Sequence, residues 1–417
     1  MKHTSMISLT RGKKLPCIFL LIIGAMLIIG SVIFNPSFIS KHLSSDGVLN
    51  VSTRDLIYMF EVLTIILGFA VCFYSLIRIN ESVLAKRIEE KVDKYLHPIA
   101  IWDRFWFTPT SLRRLAIFRI LIFGFLIWSS LFIWVPDYIE SLKNVSPEFF
   151  EPLLIIRIFH LSPPSSPFVL DMIHVLLTLF AAGAMVGFMT RFCIFGSLAL
   201  FIYVVGMWWS FEGIHRSESP VFIFAMAALL LSPCGKVLSI DEVIARMRSS
   251  KERGESQRYR AEKLESEYAL WPIRLTQVFV AFAYFNAGFW KIKMSGFSWA
   301  NGAALQFHLI DHHLRGDSIT DLGLLIAHHP MVCSALSVLT LVWELGFPII
   351  LIFPRLAWIF LPLGLSFHIG TGITMATWFY PLWFCYIAFI DFEAVGPWVK
   401  EKIRSFRDSS GFKILFD

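Results

Sequence analysis

The sequence predicts an all-α protein, a polytopic bundle of about ten transmembrane helices with cytoplasmic N- and C-termini. Of the 417 residues, 56% are hydrophobic and 16% are charged, and the mean hydropathy is +0.65. An ordinary soluble domain is about a quarter charged and about half apolar. The apolar residues also collect into runs of roughly 20, which is the length that a helix needs to cross a bilayer.

Ten apolar runs follow one another along the chain. The first comes after four basic residues and is long for a cleaved signal, so we interpret it as a retained signal anchor. The fourth and fifth are joined by only three residues, which predicts an antiparallel hairpin. The sixth and tenth are short for a full crossing. The predicted spans are 15–34, 56–77, 115–135, 168–188, 192–208, 219–231, 271–290, 331–352, 356–376 and 378–392.

The spans divide the chain into three regions. Residues 1–107 form an N-terminal extension with two spans and a charged, aromatic segment that is typical of an interfacial amphipathic helix. Residues 108–395 hold the other eight spans, and 396–417 form a basic cytoplasmic tail.

Three segments between the spans also have a distinct composition. We expect loops at 136–167, which contains prolines, and at 291–330, which contains five histidines. The highly charged segment 235–269 predicts a solvated helix or hairpin on the membrane surface.

The basic residues predict the orientation, because cytoplasmic segments of membrane proteins carry an excess of lysine and arginine. With the N-terminus inside, the inner segments carry 27 of these residues and the outer segments carry 8. Segment 291–330 and His215 then lie on the extracytoplasmic side. The net charge of +6 follows this topology, and the sequence has no nucleic-acid motif, so the predicted partner is the lipid bilayer.

The seventh span carries a polar face. Gln277, Tyr284, Gly288 and Lys291 recur at helical spacing among apolar residues, and this face should look into protein rather than lipid. Lys291 ends the span where lipid meets water. Reduced hydration favours a neutral amine, which can act as a base. The alternative is a snorkelling lysine that only marks the outer end of the span.

Ionisable side chains inside predicted spans are costly, so each is a candidate for function or for interhelical hydrogen bonding. His368 lies near small residues that let a neighbour or ligand approach its ring. Glu344 needs a partner, for which Arg119 and a backbone amide are the candidates, and both an architectural and a proton-handling role stay open. Near the entry of its span, Arg119 can snorkel or cap a carbonyl. The full set is Glu61, Arg119, His174, Glu344, His368 and Asp391.

The cysteines and histidines carry little further signal. The six cysteines are scattered without a CxxC pair, so neither a disulfide framework nor a thiolate metal site is predicted. His308 and His312 have the i, i+4 spacing of a zinc motif, but a lone pair of this kind is unspecific, and we predict no metal site. Hydrolase, kinase and dinucleotide motifs are absent.

Five short motifs fall within the larger region: Tyr284-Phe-Asn-Ala-Gly-Phe-Trp-Lys291, Trp299-x-x-Gly302, Glu344-x-x-x-Pro348, Phe367-His368 and Leu115-Ala-Ile-Phe-Arg119. Together they resemble the HTTM domain, the membrane domain shared by vitamin K-dependent γ-glutamyl carboxylases and many bacterial membrane proteins. The resemblance covers about 108–395. It implies an outward-opening apolar cavity for a reduced, vitamin K-like quinone or another lipid-like ligand.

The resemblance also implies roles for individual residues. In the carboxylases a lysine at the end of this element deprotonates the reduced vitamin, a loop histidine assists, and the oxygenated quinone then forms a glutamyl carbanion that captures CO2. Here the lysine is Lys291 and the histidine is His215. Trp290 stands where the carboxylases have a second lysine, and 396–417 offers no counterpart of their large substrate-handling domain. The residues expected to hold the quinone are Tyr284, Gly288, Trp299, Glu344 and His368.

These features allow two functions. The first is carboxylase-like or other quinone-linked chemistry on a peptide or small molecule. The second is a non-catalytic, accessory role in the maturation or export of a secreted peptide, in which Lys291 is only an interface anchor. A transporter is less consistent with the sequence, since two inverted halves are not visible.

Overall fold

The computed structural model of the chain describes residues 98–153, 156, 159–164, 166–212, 218–252 and 265–393. Both predicted N-terminal spans, Glu61, His215 and the basic tail lie outside these residues. The chain divides into two compact units, Met1–Asp103 and Arg104–Asp417, and the site described below belongs to the second.

The described residues are mostly helical, as expected where backbone groups must find their hydrogen-bond partners within the same segment. Two-residue strands β1 (Thr110–Ser111) and β2 (Glu265–Ser266) pair antiparallel, with Thr110 opposite Ser266. Short 3-10 helices cover Pro147–Phe149, Gly296–Asn301, Pro354–Leu356 and Cys385–Phe389. The α-helices are α1 Pro98–Phe107, α2 Leu112–Phe132, α3 Trp134–Asn144, α4 Pro167–Val186, α5 Thr190–Glu212, α6 Glu218–Leu231, α7 Ile240–Glu252, α8 Trp271–Ser295, α9 Ala303–Leu314, α10 Leu322–Ala327, α11 Pro330–Gly346, α12 Ile349–Ile352, α13 Ala357–Met375 and α14 Tyr380–Phe384.

Four helical segments of this set are long and apolar enough to cross a membrane: Leu112–Phe132, Pro167–Val186, Thr190–Phe211 and Pro354–Met375. Shorter apolar helices cover Ser219–Leu231, Pro330–Gly346 and Tyr380–Phe389. Large apolar side chains are exposed on α4 and α13, as expected for helices that meet lipid. The described part of the chain therefore has an all-α fold, and its apolar helices indicate a membrane-associated protein.

The predicted loops contain more helix than the sequence pattern indicated. Helix α3 occupies the start of 136–167, and 291–330 holds the end of α8, a 3-10 helix, α9 and α10. The loop interpretation of 291–330 was wrong because its histidines and charges obscured a small apolar core of Leu309, Ala327 and Cys333. The tenth predicted span is also shorter in the structure, since α14 gives way to a 3-10 helix at Cys385.

Polar side chains cap the N-termini of α2 and α5. Ser111 caps α2, because its hydroxyl accepts a hydrogen bond from the backbone N–H of Arg113 at 3.1 Å. The Asp241 carboxylate caps α5 by accepting from the backbone N–H groups of Met189 and Thr190 at 2.9 and 2.8 Å. Partial burial would raise the pKa of Asp241, but hydrogen bonds from Thr190 and Met189 and the charge of Arg119 outweigh it and lower that pKa.

Arg119 is fully buried and fastens the ends of three segments together. Its guanidinium donates to the carbonyl oxygens of Cys234 at 2.7 Å, Leu238 at 2.6 Å and Met185 at 3.4 Å. The interpretation of Arg119 as a carbonyl cap is confirmed, and the alternative that it pairs with Glu344 is wrong. The hydrogen bonds of Arg119 compensate the loss of water around a buried charge.

The helix that carries the candidate site lies inside the bundle. Helix α8 packs against α6 on one side and against α11 and the last 3-10 helix on another. Gln277, Tyr284 and Gly288 are buried on it, so the prediction that its polar face looks into protein is confirmed. Gln277 is held there by donating to the carbonyl oxygen of Ala388 at 2.8 Å.

Candidate functional site

The centre of the site is an ion pair between α8 and α11. Nζ of Lys291 donates to both carboxylate oxygens of Glu344, at 2.5 Å to Oε1 and 2.7 Å to Oε2. The Glu344 side chain is 4% exposed and that of Lys291 is 23% exposed. The partner that Glu344 needs is therefore Lys291, and neither Arg119 nor a backbone amide takes that place. Lys291 in turn has a specific bond that a simple snorkelling lysine lacks.

Gly288 lets the two helices approach closely enough for this pair. It lies one turn before Lys291 on α8, facing α11. A Cβ atom at Gly288 would come within 3.0 Å of both Cβ of Glu344 and Cγ of Leu345. Because a larger residue would press α11 outward, glycine at this position sets the distance between the lysine and the glutamate.

Trp299 closes the exposed side of the lysine. The 3-10 helix that follows α8 turns back toward α11, and Nζ of Lys291 lies 5.2 Å from the centroid of the Trp299 ring. This is within the range of a cation–π interaction. The aromatic face and the carboxylate together hold the lysine head in one place.

The turn after Trp299 explains the Trp299-x-x-Gly302 spacing. Gly302 has φ +82°, the left-handed region, and a Cβ there would lie 2.3 Å from the backbone nitrogen of Ser334. Ser334 also donates through its hydroxyl to the carbonyl oxygen of Ala300 at 2.8 Å. The turn is thereby fixed to α11, and Trp299 is fixed above Lys291.

A buried hydrogen-bond chain lies beside the ion pair. Tyr386 donates through its hydroxyl to Oη of Tyr284 at 2.7 Å, and Oη of Tyr284 lies 2.6 Å from Nε2 of His368. All three side chains are buried, with Tyr284 and His368 each 2% exposed. Three polar side chains from α8, α13 and the last 3-10 helix thus meet within an apolar core.

Aromatic rings lie between this hydrogen-bond chain and the ion pair. The ring centroids of Trp343 and Phe347 each lie 4.5 Å from that of Tyr284, and Trp343 directly precedes Glu344 in sequence. Tyr284, Gly288, Lys291, Trp299, Glu344 and His368 therefore form one connected group of contacts.

No family model, curated protein or solved structure matches this chain. The functional interpretation rests on the site itself.

The remaining predicted residues lie elsewhere. His215 falls outside the described residues, so its relation to Lys291 is not defined. His174 bonds through Nε2 to the carbonyl oxygen of Ser130 at 2.5 Å, which joins α4 to α2. Asp391 forms an ion pair with Arg114 at 3.4 Å, near the other end of α8. His174 thus has the interhelical bonding role that the sequence left open, whereas Asp391 follows the last 3-10 helix and pairs with α2.

His308 belongs near the site for a reason that the sequence did not give. It was considered only as half of a zinc spacing, yet the charge of Lys291 reaches it. Partial burial lowers the pKa of His308, and His312 and Lys291 lower it further, whereas Asp311 opposes them. Within the described ranges, no group of three or more His, Cys, Asp or Glu side chains is arranged to hold a metal ion.

Tyr386 is the main site residue that sequence reasoning missed. It lies in the short tenth span, in an apolar context with no motif around it, so only the pairing of that segment with α8 reveals its bond to Tyr284. No local signal in the sequence distinguishes it from a tyrosine of the aromatic belt.

The donors and rings present fit a flat, apolar molecule that carries oxygen atoms. Aromatic side chains surround His368, and its Nδ1 atom is buried without a hydrogen-bond partner among the residues that the structure describes. Ligand sites are commonly apolar with a few placed polar groups. The arrangement is thus compatible with the quinone that the HTTM resemblance implies.

Proposed function

We propose that this protein is a polytopic membrane protein of the HTTM type that binds a quinone and uses Lys291 as a base on the extracytoplasmic side. Ten spans, with both termini in the cytoplasm, are part of the proposal. The charge distribution along the sequence supports this orientation, and the four long apolar helices support the membrane location. The HTTM resemblance supports the family.

The single observation that carries the chemical proposal is the ion pair of Lys291 with Glu344. A carboxylate that is 4% exposed is costly to bury, and such groups in membrane proteins mark functional sites by default. Moving the proton from Nζ to the carboxylate to which it is bonded gives a neutral amine beside a carboxylic acid. Lys291 then has a lone pair with which to accept a proton.

The roles of the residues follow from their positions. Nζ of Lys291 accepts the proton of the reduced quinone, and Glu344 positions Nζ through its hydrogen bonds. Trp299 limits the access of water to Nζ. His368 would hold the quinone through a hydrogen bond, and Tyr284 would orient the imidazole ring. When bound, a reduced quinone would supply an acidic hydroxyl group and two electrons.

The experiment is to follow hydroquinone oxidation and oxygen consumption by the protein in nanodiscs, with 2-methyl-1,4-naphthohydroquinone as the probe. We expect Lys291→Ala to lower the rate by a factor of about 10² or more, the usual contribution of a general base. Lys293→Ala, which removes another lysine two residues along the same helix, is the matched control and should retain the rate. Full turnover and full quinone binding by Lys291→Ala would overturn the proposal.

The accessory role is the competing outcome of the same experiment. In that case the wild-type protein shows no quinone binding or oxidation, and it co-purifies with a secreted peptide instead. Lys291→Ala would then lower recovery of the peptide without affecting any oxidation rate.

A further inference from the structure

The hydrogen-bond chain of the site has a direction. Tyr386 donates its hydroxyl hydrogen to Oη of Tyr284. The remaining hydrogen of Tyr284 has one acceptor within reach, Nε2 of His368 at 2.6 Å. If His368 donated instead, Oη of Tyr284 would accept two bonds and leave its own hydrogen without an acceptor in a buried site. Tyr284 is therefore the donor, and Nε2 of His368 is the acceptor.

This direction determines the tautomer of His368. A neutral imidazole carries one N–H, and the nitrogen that accepts a bond is the one without hydrogen. Because Nε2 accepts from Tyr284, the hydrogen is on Nδ1. Nδ1 has no bonding partner in the described ranges of the chain, although His368 is only 2% exposed. The chain of three side chains thus ends in a buried N–H donor that lacks an acceptor.

Such a donor is unusual in a folded protein, because a buried polar group without a partner is destabilising and most find one. Among the residues that the structure describes, none provides an acceptor for Nδ1. The rings of Phe367 and Phe379 have centroids 5.2 and 5.3 Å from that of His368, and Trp343 follows at 6.3 Å. A ligand that supplies the acceptor would therefore present it on a body that packs against aromatic rings.

We propose that the Nδ1–H group of His368 donates a hydrogen bond to a carbonyl oxygen of a flat, quinone-like ligand, with Tyr386 and Tyr284 holding the imidazole in the required tautomer. This rests on the proposed function and adds to it the atom that recognises the ligand. Lys291 and His368 then have separate tasks, since Lys291 accepts a proton and His368 selects a carbonyl-bearing ligand.

Two amide substitutions separate the nitrogens of the ring. His368→Asn places an amide group on Cγ, where Nδ1 is attached, and so offers a donor near the Nδ1 position. His368→Gln extends the amide by one carbon toward the Nε2 position, so it retains a group for Tyr284 and loses the Nδ1 donor. The ligand probes are 2-methyl-1,4-naphthoquinone and 2-methylnaphthalene, which share the same two rings and differ in the carbonyl groups.

We expect wild type and His368→Asn to bind the quinone with similar affinity, and His368→Gln to bind it about tenfold more weakly, the effect of one lost hydrogen bond. 2-Methylnaphthalene should bind all three proteins alike. In ¹⁵N-histidine-labelled wild-type protein, the chemical shifts of the His368 ring should be those of the Nδ1–H tautomer. That measurement, and the comparison of the two probes on the wild type, need no variant to fold.

Three results would overturn the inference. One is an Nε2–H tautomer in the wild type, and another is equal quinone affinity of His368→Gln and the wild type. The third is equal affinity of the wild type for both probes, which would mean that Nδ1 bonds to a buried water instead. If the quinone binds the wild type and requires Lys291 while any of these holds, only this inference falls. If the wild type binds no quinone, the proposed function falls with it.

Discussion

Lys291 and Glu344 lie 53 residues apart in sequence, and one lysine nitrogen donates to both oxygens of the glutamate. The pair joins the C-terminal end of α8 to the C-terminal end of α11. Because the carboxylate is almost fully buried, the contact affects the stability of the bundle as well as any chemistry at the lysine.

The first prediction concerns this pair as a unit. Removing either partner leaves the other charge buried and unpaired, which typically destabilises a protein by about 3–5 kcal/mol. We expect Lys291→Met and Glu344→Leu each to lower the free energy of unfolding strongly. The double variant Lys291→Met/Glu344→Leu should lose clearly less than the sum, because no charge is left behind. Unfolding by a denaturing detergent, measured on all four proteins, completes the cycle, and strict additivity would contradict the coupling.

The α8 pattern shows what helical spacing predicts. Gln277, Tyr284 and Gly288 share a face with Lys291, and the prediction that this face turns inward follows from a period of 3.6 residues. The period does not tell which helix lies opposite. The bond of Lys291 to Glu344 depends on the packing of α8 against α11, and hydropathy alone does not encode the order of helices in a bundle.

In segment 291–330 the composition gave the wrong secondary structure. Its charges and histidines have the composition of a loop, yet Leu309 and Cys333 bury a local core that stabilises two helices there. Tertiary packing outweighed composition in this segment. The Trp299-x-x-Gly302 spacing has a physical basis, a left-handed turn against the backbone of Ser334, that the sequence alone does not reveal.

The second prediction concerns Gly302. Gly302→Ala adds a Cβ at positive φ and directly against the α11 backbone at Ser334. We expect a loss of stability of roughly 2 kcal/mol or more, together with displacement of Trp299. Gly316→Ala is the matched control, since Gly316 also has positive φ (+76°) but has no atom within 4 Å of the added Cβ. Thermal unfolding and the fluorescence of Trp299 should change more in Gly302→Ala, and equal effects would show that crowding against α11 is unimportant.

The third prediction concerns the hydroxyl of Tyr386. Tyr386→Phe keeps the ring and removes one donor, so Tyr284 loses one hydrogen bond while its bond to His368 is retained. We expect a destabilisation of about 0.5–1.5 kcal/mol. Tyr380→Phe, on the adjoining helix α14, is the control because the hydroxyl of Tyr380 has no hydrogen-bond partner in the described part of the chain. A larger loss of stability in Tyr380→Phe than in Tyr386→Phe would argue against the hydrogen-bond chain of Tyr386, Tyr284 and His368.

The fourth prediction concerns the pH dependence that His308 contributes. Partial burial, His312 and Lys291 lower the pKa of His308 below 6.5, so the folded protein takes up its proton less readily than the unfolded chain. The unfolded state then binds more protons below about pH 6.5, and stability falls as the pH decreases through that value. Above pH 6.5 His308 therefore takes nothing from the stability of the folded protein.

His308→Gln should remove this part of the dependence. The thermal unfolding midpoint of the wild type should fall between pH 7.5 and 5.5 by more than that of His308→Gln, with both proteins in the same detergent. His328→Gln, which alters an exposed histidine at the end of α10, is the matched control and should follow the wild type. If His308→Gln loses as much stability on acidification as the wild type, then His308 does not carry the dependence. The proximity of Lys291 to His308 would also lose its support, because the charge of Lys291 is one of the causes of the lowered pKa.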